Sequence, residues 1–566
     1  MMSHEPDRDR RDAILADDGD RNAAPSLGSR NEPSENAAHE SHGGIPAWTV
    51  DDLPEPPALA WRHWTRFIGP GIVMMGIQIG GGEWLFGPEI TAKYGGGLMW
   101  IATIAILVQV FYNLECGRYA LYCGEPVLTG FMRKAPGPAF WAAVMLLLNG
   151  SALIPGLSTH GAAILAALVL DRPPGDDDRW LVTLLAYLAL GGVALPMLIG
   201  GKVYNLLQVV MTAKVVLVLG FCLIVGIVFV PAEAWGKVFV GFVQFGNVPV
   251  ADADGNETVV NAFGHYHEHG VWPVIALANI AVLGGFAGYA GGGGLANSTY
   301  SNFVRDQGWG MGKLVGAIPS AVGGGRVSLS HVGKVFPLTV ANLQRWRGWW
   351  RRVLMDQILV WAPGCFMGMA FPALLSIEFA THSPIFRGET KLEWAQALIS
   401  ADGLRHAPGL GTAVTNVLWV AALIAGLAVM FPSQMSIVDD FARRWTDAAW
   451  TASPTVRRCL KPKDVKWIYY AILGAYVLWS FVCAYLFATY GSPKLMTLVI
   501  ANLNNLAIGI TAIQLLWINL TLLPREIRPR LHHILGMLAC AAFYLGLAVI
   551  VFLTKQWPGL RELLGV

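Results

Sequence analysis

Charge is scarce in this chain. Only 14% of its 566 residues are Asp, Glu, Lys or Arg, and the formal balance is +2. Nothing in that balance calls for nucleic acid as a partner. Cysteine is scarce too: Cys116, Cys123, Cys222, Cys365, Cys459, Cys483 and Cys540 are scattered with no close Cys-x-x-Cys pair. That excludes a disulfide or metal framework and leaves them as small apolar fillers. There is no phosphate loop, zinc-finger spacing or nucleophile elbow, so the sequence indicates no enzyme and no bound cofactor. What it has in abundance is apolar surface. Hydrophobic residues make up 54% of the chain and the mean hydropathy is +0.48, values of a polytopic membrane protein whose immediate surroundings are lipid.

Residues 1–60 stand apart. They are polar and rich in Asp, Arg, Asn, Ser and Pro, and read as a disordered tail that cannot bury enough surface to fold. No short apolar core with a cleavage site precedes the first span, so a cleaved signal peptide is not expected. A transmembrane domain follows over 61–555, and 556–566 reads as a short tail.

Within that domain, eleven apolar runs match the roughly 20 helical residues needed to cross a hydrocarbon core. They lie near 67–90, 98–119, 138–170, 180–199, 204–230, 272–304, 353–378, 411–438, 467–489, 494–522 and 532–553. They are called spans 1 to 11 below. Spans 3 and 6 are too long for one straight crossing, so tilt or a break is expected.

Lysines and arginines gather in alternate loops, "RRWTDAAWTASPTVRRCLKPKDVK" against the acidic "DRPPGDDDR" on the other side. This predicts a cytoplasmic N-terminus and an outside C-terminus in a bacterial-type inner membrane. "NLQRWRGWWRR", with Trp346, Trp349 and Trp350, reads either as an interfacial helix on the inner leaflet or as a helix packed on the protein.

Two of the spans carry glycine runs. Gly80, Gly81 and Gly82 interrupt span 1, and Gly291, Gly292, Gly293 and Gly294 interrupt span 6. Broken helices five spans apart are the trace of an inverted repeat, here about 67–230 and 272–522, with span 11 as an extra helix and a substrate site between the breaks. Glycine lets the chain leave helical geometry, and freed backbone groups at that depth must line a cavity or a ligand. Close packing of small residues is the blander account.

Glu83, at the first break, is a carboxylate in lipid and therefore a functional candidate, as cation ligand, proton carrier or ion-pair partner. Lys214 in span 5 is the other charge near a span centre, and a structural Glu83–Lys214 pair is one possible role. Glu89 and Glu115 sit nearer span ends. Gln78, Asn279, Tyr289, Ser433, Gln434, Ser436, Asn502, Asn504 and Asn505 are candidates either for the site or for interhelical hydrogen bonding. His265, His267 and His269, with Glu268, read as a loose metal site or, more simply, a solvated loop.

"GPGIVMMGIQIGGGEWLFGPEITAKYGGGLMW", "LECGRYALYCGEPVLTGFMRKAPGP" and "ITAIQLLWINLTLLPREIRP" together resemble the Nramp divalent-metal transporters, and especially a divergent bacterial group of them. The resemblance implies an all-α leucine-transporter fold of the amino acid–polyamine–cation superfamily, with proton-coupled uptake of a manganese- or iron-like cation. It places the family's metal-binding Asp at Gly80, its Pro at Gly81, its Gly at Gly82 and its metal-binding Asn at Glu83. The Met-Pro-His motif falls near Gly292, Gly293 and Gly294. Both usual ligands are therefore replaced, and Glu83 alone would restore an anionic oxygen.

The wider superfamily suggests a rival, a proton-coupled carrier of an amino acid or other small organic solute. Lys214 would then be the coupling residue, with Ser433 and Ser436 beside it. A transporter-like sensor without flux is the third reading. The sequence carries no sign of an oligomeric state.

Overall fold

The computed structural model describes residues 44–57, 69–198, 203–252, 254, 257–321, 326–388, 395–490 and 493–558. Among these, nine helices are long and apolar enough to cross a membrane: Trp100–Cys123, Gly150–Leu170, Asp176–Leu198, Tyr204–Phe229, Val340–His382, Thr412–Ala452, Val465–Leu486, Thr497–Leu522 and Leu531–Gln556. They match expected spans 2 to 5 and 7 to 11. The two absent from that set are spans 1 and 6, the ones whose glycines interrupt them.

Span 1 consists of Pro70–Gln78, a break, a π turn at Gly82–Phe86 and Gly87–Tyr94. Span 6 consists of Ile280–Tyr289, a break, a 3-10 turn at Gly294–Thr299 and Tyr300–Asp306. It starts at Ile280 rather than 272. Span 3 breaks as its length required: Pro138–Leu148 ends at Asn149, and Pro155 precedes Gly156–Leu170. By contrast Trp100–Cys123 runs uninterrupted and stops at Gly124, whose φ of 67° is a glycine C-cap.

Three expectations change. The seventh span begins at Val340, so the tryptophan-rich segment is the first part of one continuous helix. Trp346 and Trp349 are buried, the packed rather than the interfacial alternative. The eighth runs on to Ala452, so Arg443 and Arg444, expected in a loop, are buried on a helix that Pro432 does not stop.

The tail is the third. Residues 1–43 and 58–60 lie outside the described residues, but 44–57 form an ordered strap. Thr49–Val50 pairs in parallel with Lys334–Val335, and Ile45, Trp48 and Leu53 are buried in the main core. Isolated large apolar residues in a polar segment were enough to anchor it. Of the C-terminal tail, 559–566 likewise lies outside the described residues, while Phe552–Gln556 continues the last helix.

One apolar core joins the strap and spans. Val209, Val216, Ile224 and Ile227 on span 5, Leu188 on span 4 and Leu478 on span 9 are exposed, the surface expected of helices whose solvent is lipid. Below, the face carrying the strap and the start of span 1 is the strap face; the opposite one, carrying the hairpin Asn247–Ala251 and Glu257–Asn261, is the far face.

Candidate functional site

The two breaks face each other at close range. A Cβ added at Gly82 would lie 2.7 Å from the carbonyl oxygen of Tyr289, so only glycine lets spans 1 and 6 approach this way. Gly291, Gly293 and Gly294 take φ of 86°, 67° and 57°, a left-handed path that strains any residue with a Cβ.

Around the breaks lies a cavity of about 90 Å³. Gln78, Gly80, Gly81, Tyr289, Gly291, Gly292 and Gly293 line it, as do Ser433 and Ser436. Gly82, Glu83, Gly294 and Lys214 do not. Asn504 also lines it, whereas Asn502 and Asn505 donate to the Ala281 and Gly284 carbonyls as interhelical glue.

Sequence reasoning did not name Asn149, Ser151 and Asp440, which complete its polar wall. Asn149 stands at the break of span 3. Asp440 was within reach: it follows the serines of span 8 by one helical turn.

Gln78 is pinned through its oxygen, which accepts from the Trp361 indole and, at 3.4 Å, from Cys365 Sγ. Its Nε2 is buried without a partner. Asn149 is pinned the same way, its Oδ1 accepting from Arg444 at 3.1 Å while Nδ2 is unpartnered. Asp440, in turn, accepts from Thr299 and from Arg444 at 2.7 Å.

Glu83 is 1% exposed and packs beside Gly368 of span 7. Its Oε2 accepts the Gly80 N–H at 2.8 Å, so it staples the break it belongs to, and Oε1 has no partner. Lys214 is 2% exposed and donates to Ser433 Oγ at 2.5 Å. The direct Glu83–Lys214 ion pair is not formed. Instead, Ser433 Oγ stands 3.1 Å from where a Gly80 Cβ would be, so lysine, serine, glycine amide and glutamate follow one another across the break.

The remaining candidates lie elsewhere. Glu115 is bound by Arg118 at 3.0 Å, Asn519 at 2.8 Å and His533 at 3.0 Å. Glu89 accepts from Gln396 at 2.8 Å, and Gln434 accepts from the Ser158 N–H at 3.2 Å. Asn279 donates to Glu257 at 2.8 Å on the far face. His265 and His269 stack on the exposed helix Ala262–His269; no group of three metal-binding side chains occurs among the described residues.

A carboxylate that the sequence reading passed over, Asp356 of span 7, accepts the Gly71 N–H at 3.0 Å and the Tyr300 hydroxyl at 2.8 Å. It caps the N-terminus of span 1, where a helix dipole favours an anion.

No family model matches the chain, and no curated protein matches its sequence. Solved structures do. The manganese transporter of Eremococcus coleocola, in a mutant form, superposes with a TM-score of 0.55 at 12% identity, over 89% of this chain and 92% of that one. The same transporter in complex with an aromatic bis-isothiourea substituted compound gives 0.54 at 13%, over 90% and 93%. At such identities the likeness is one of fold, and that fold is the all-α, leucine-transporter-like architecture that the family resemblance implied.

Proposed function

We propose that this multi-pass membrane protein is a secondary active transporter, working by alternating access around the cavity between the breaks of spans 1 and 6. One observation carries the reading: two interrupted helices face each other across a small cavity whose wall includes several polar side chains. Irregular backbone is tolerated at membrane depth only where it lines such a space, and transporters place their substrate there.

As cargo we favour a divalent cation. The cavity, about 90 Å³, is small beside the roughly 300 Å³ at which pockets for organic ligands begin. Ser433, Ser436, Asn504 and Asp440 among its lining residues carry side-chain oxygens. Such a set suits a hard cation such as manganese or magnesium rather than a thiophilic one. A manganese transporter shares the fold.

Glu83 then belongs to coupling rather than to the ligand shell of this state. Protonating its carboxylate would weaken its hold on the Gly80 amide and loosen the break beside Ser433 and Lys214. We place the N-terminus in the cytoplasm of a bacterial-type inner membrane, which makes the strap face the inner one.

One observation favours a second reading, a small carboxylate-bearing solute: Gln78 Nε2 and Asn149 Nδ2 are unpartnered donors on residues of the wall, and Lys214 lies behind Ser433. Uptake of labelled manganese into proteoliposomes under an inward proton gradient tests both. Saturable uptake that magnesium competes with and Asp440→Asn abolishes supports the cation. Uptake no greater than in empty liposomes, together with uptake of a labelled amino acid mixture, would transfer the proposal to the organic solute. Binding without uptake of either would make the protein a sensor.

A further inference from the structure

The break in span 1 is stapled from within, by Glu83. The break in span 6, residues 290–293, is alanine and glycine only, and a side chain from another span reaches its backbone. The partner is Gln109, a fully buried side chain in the middle of span 2.

Its Oε1 accepts the N–H of Gly292 at 2.8 Å, the N–H of Gly293 at 3.4 Å and Asn297 Nδ2 at 3.0 Å. Its Nε2 donates to the Ala290 carbonyl at 2.6 Å and to the Tyr544 hydroxyl of span 11. One amide group thus serves a carbonyl at the start of the break and two amides further along it. Those are the orphan groups an interrupted helix leaves, and they must be paired where no water reaches.

We infer that Gln109, held in place by Tyr544, is the positioning residue that fixes the shape of the span 6 break and, through Gly292 and Gly293, the wall of the cavity. Gln109 does not itself line the cavity, so it acts through the backbone and not on the substrate.

The geometry also accounts for the glycine run. A Cβ at Gly291 would come within 2.7 Å of Gln109 Oε1, so the glycines make room for the amide as well as for the left-handed path. Tyr544 adds contacts to the Ala105 and Ala287 carbonyls at 3.5 Å each. The extra helix therefore backs the clamp that spans 2 and 11 close on span 6. An ordinary interhelical hydrogen bond would serve one group on one side of a helix; Gln109 serves three backbone groups within one discontinuity.

The inference about shape stands apart from the transporter reading; only its consequence for affinity rests on that reading. The test therefore has two arms on the full-length protein. In the first, hydrogen–deuterium exchange is followed by mass spectrometry in a peptide covering residues 288–296. Gln109→Leu should speed exchange there roughly tenfold, the effect of losing the two amide bonds, with peptides from spans 4, 5 and 9 unchanged. Gln109→Glu, which keeps the acceptor, should restore most of the protection, and Tyr544→Phe should give a smaller acceleration confined to the same peptide.

Unchanged exchange in Gln109→Leu, or acceleration spread evenly over all peptides, would overturn the inference. If that variant fails to fold, Gln109→Glu and Tyr544→Phe decide it: acceleration in the 288–296 peptide for Tyr544→Phe alone supports it, and none in either overturns it. In the second arm, manganese uptake into proteoliposomes should show a raised KM for Gln109→Leu with little change in maximal rate. If the wild-type protein carries no manganese, the cation reading falls, while the exchange data still decide the role of Gln109.

Discussion

At the scale of single residues, the decisive contrast is between two buried charges. Lys214 rests on a serine with no carboxylate bonded to it, an arrangement that opposes folding because the ammonium is removed from water without a full ionic partner. Stability alone does not account for such a group. Lys214→Met, of similar volume, is therefore expected to leave the thermal midpoint unchanged or higher, while the pH dependence of uptake is lost; melting curves and uptake across a pH series check both.

Glu125 is the opposite case. It accepts from Arg133 at 2.8 and 2.6 Å, from the Trp48 indole at 2.9 Å and from the Gly333 N–H at 2.9 Å. Burial alone would lower the pKa of Arg133, but Glu125 outweighs it and the guanidinium is held charged, its pKa raised. Glu125→Ala leaves that charge buried and unpaired. It should cost about 3–5 kcal/mol, read as a marked fall in the melting midpoint with no selective change in coupling.

Glu83 and Lys214 were legible in the sequence because charge in an apolar run is conspicuous. Gln109 lay in plain view in "AILVQVF", but an isolated amide in a span is usually glue, and nothing local tells which backbone it will meet some 180 residues further along. For the same reason Glu83 was legible as a special residue but not as a staple on Gly80.

At the scale of elements, the glycine breaks were readable because composition alone forbids a continuous helix there. The strap was not. Fourteen residues, 44–57, look like the rest of a polar tail until Trp48, Leu53 and Ile45 find their pockets. Its backbone is fastened across the strap face: Leu53 N–H to Asn342 at 3.2 Å, Trp349 to the Pro54 carbonyl at 2.7 Å, Arg133 to the Pro46 carbonyl at 2.9 Å and Arg457 to the Gly44 carbonyl at 2.7 Å.

These bonds tie the start of span 7 to the loops after spans 2 and 8. Trp48→Ala, which removes a buried indole and the ring that Arg133 faces at 4.8 Å, should destabilise by about 3–5 kcal/mol. A chain beginning at residue 44 should melt well above one beginning at residue 58. Equal midpoints for the two chains would show that the strap adds nothing to the folded state.

At the scale of the molecule, polar networks tie the spans together on both faces, but by unlike means. Toward the strap face, Arg305 binds Asp447 at 2.6 Å, and Arg443 binds Asp439 at 3.1 Å and Asp306, all of them 3% exposed or less. Toward the far face, Glu257 receives Lys93 at 3.0 Å, Asn279 at 2.8 Å and the Tyr94 hydroxyl, joining the end of span 1 to the start of span 6. Lys93 is 41% exposed, and exposed pairs contribute little beside buried ones.

The far face is therefore the cheaper one to open. Acid should open it: burial raises the Glu257 pKa, but the hydrogen bonds from Tyr94, Lys93 and Asn279 outweigh it and leave that pKa below the ordinary carboxyl value of 4.5. A depressed folded value means that the lock is fully present above the unfolded pKa and is lost only as pH falls through the lower, folded one. From pH 8 to pH 5 it should hold, and below about pH 4 it should release. Glu257→Gln should reproduce the released state at pH 7. With Asn504→Cys as reporter in the cavity wall, a membrane-impermeant thiol reagent should label the Glu257→Gln background faster from the far face and no faster from the strap face. Equal acceleration from both faces would mean that Glu257 holds the fold together rather than one of its two doors.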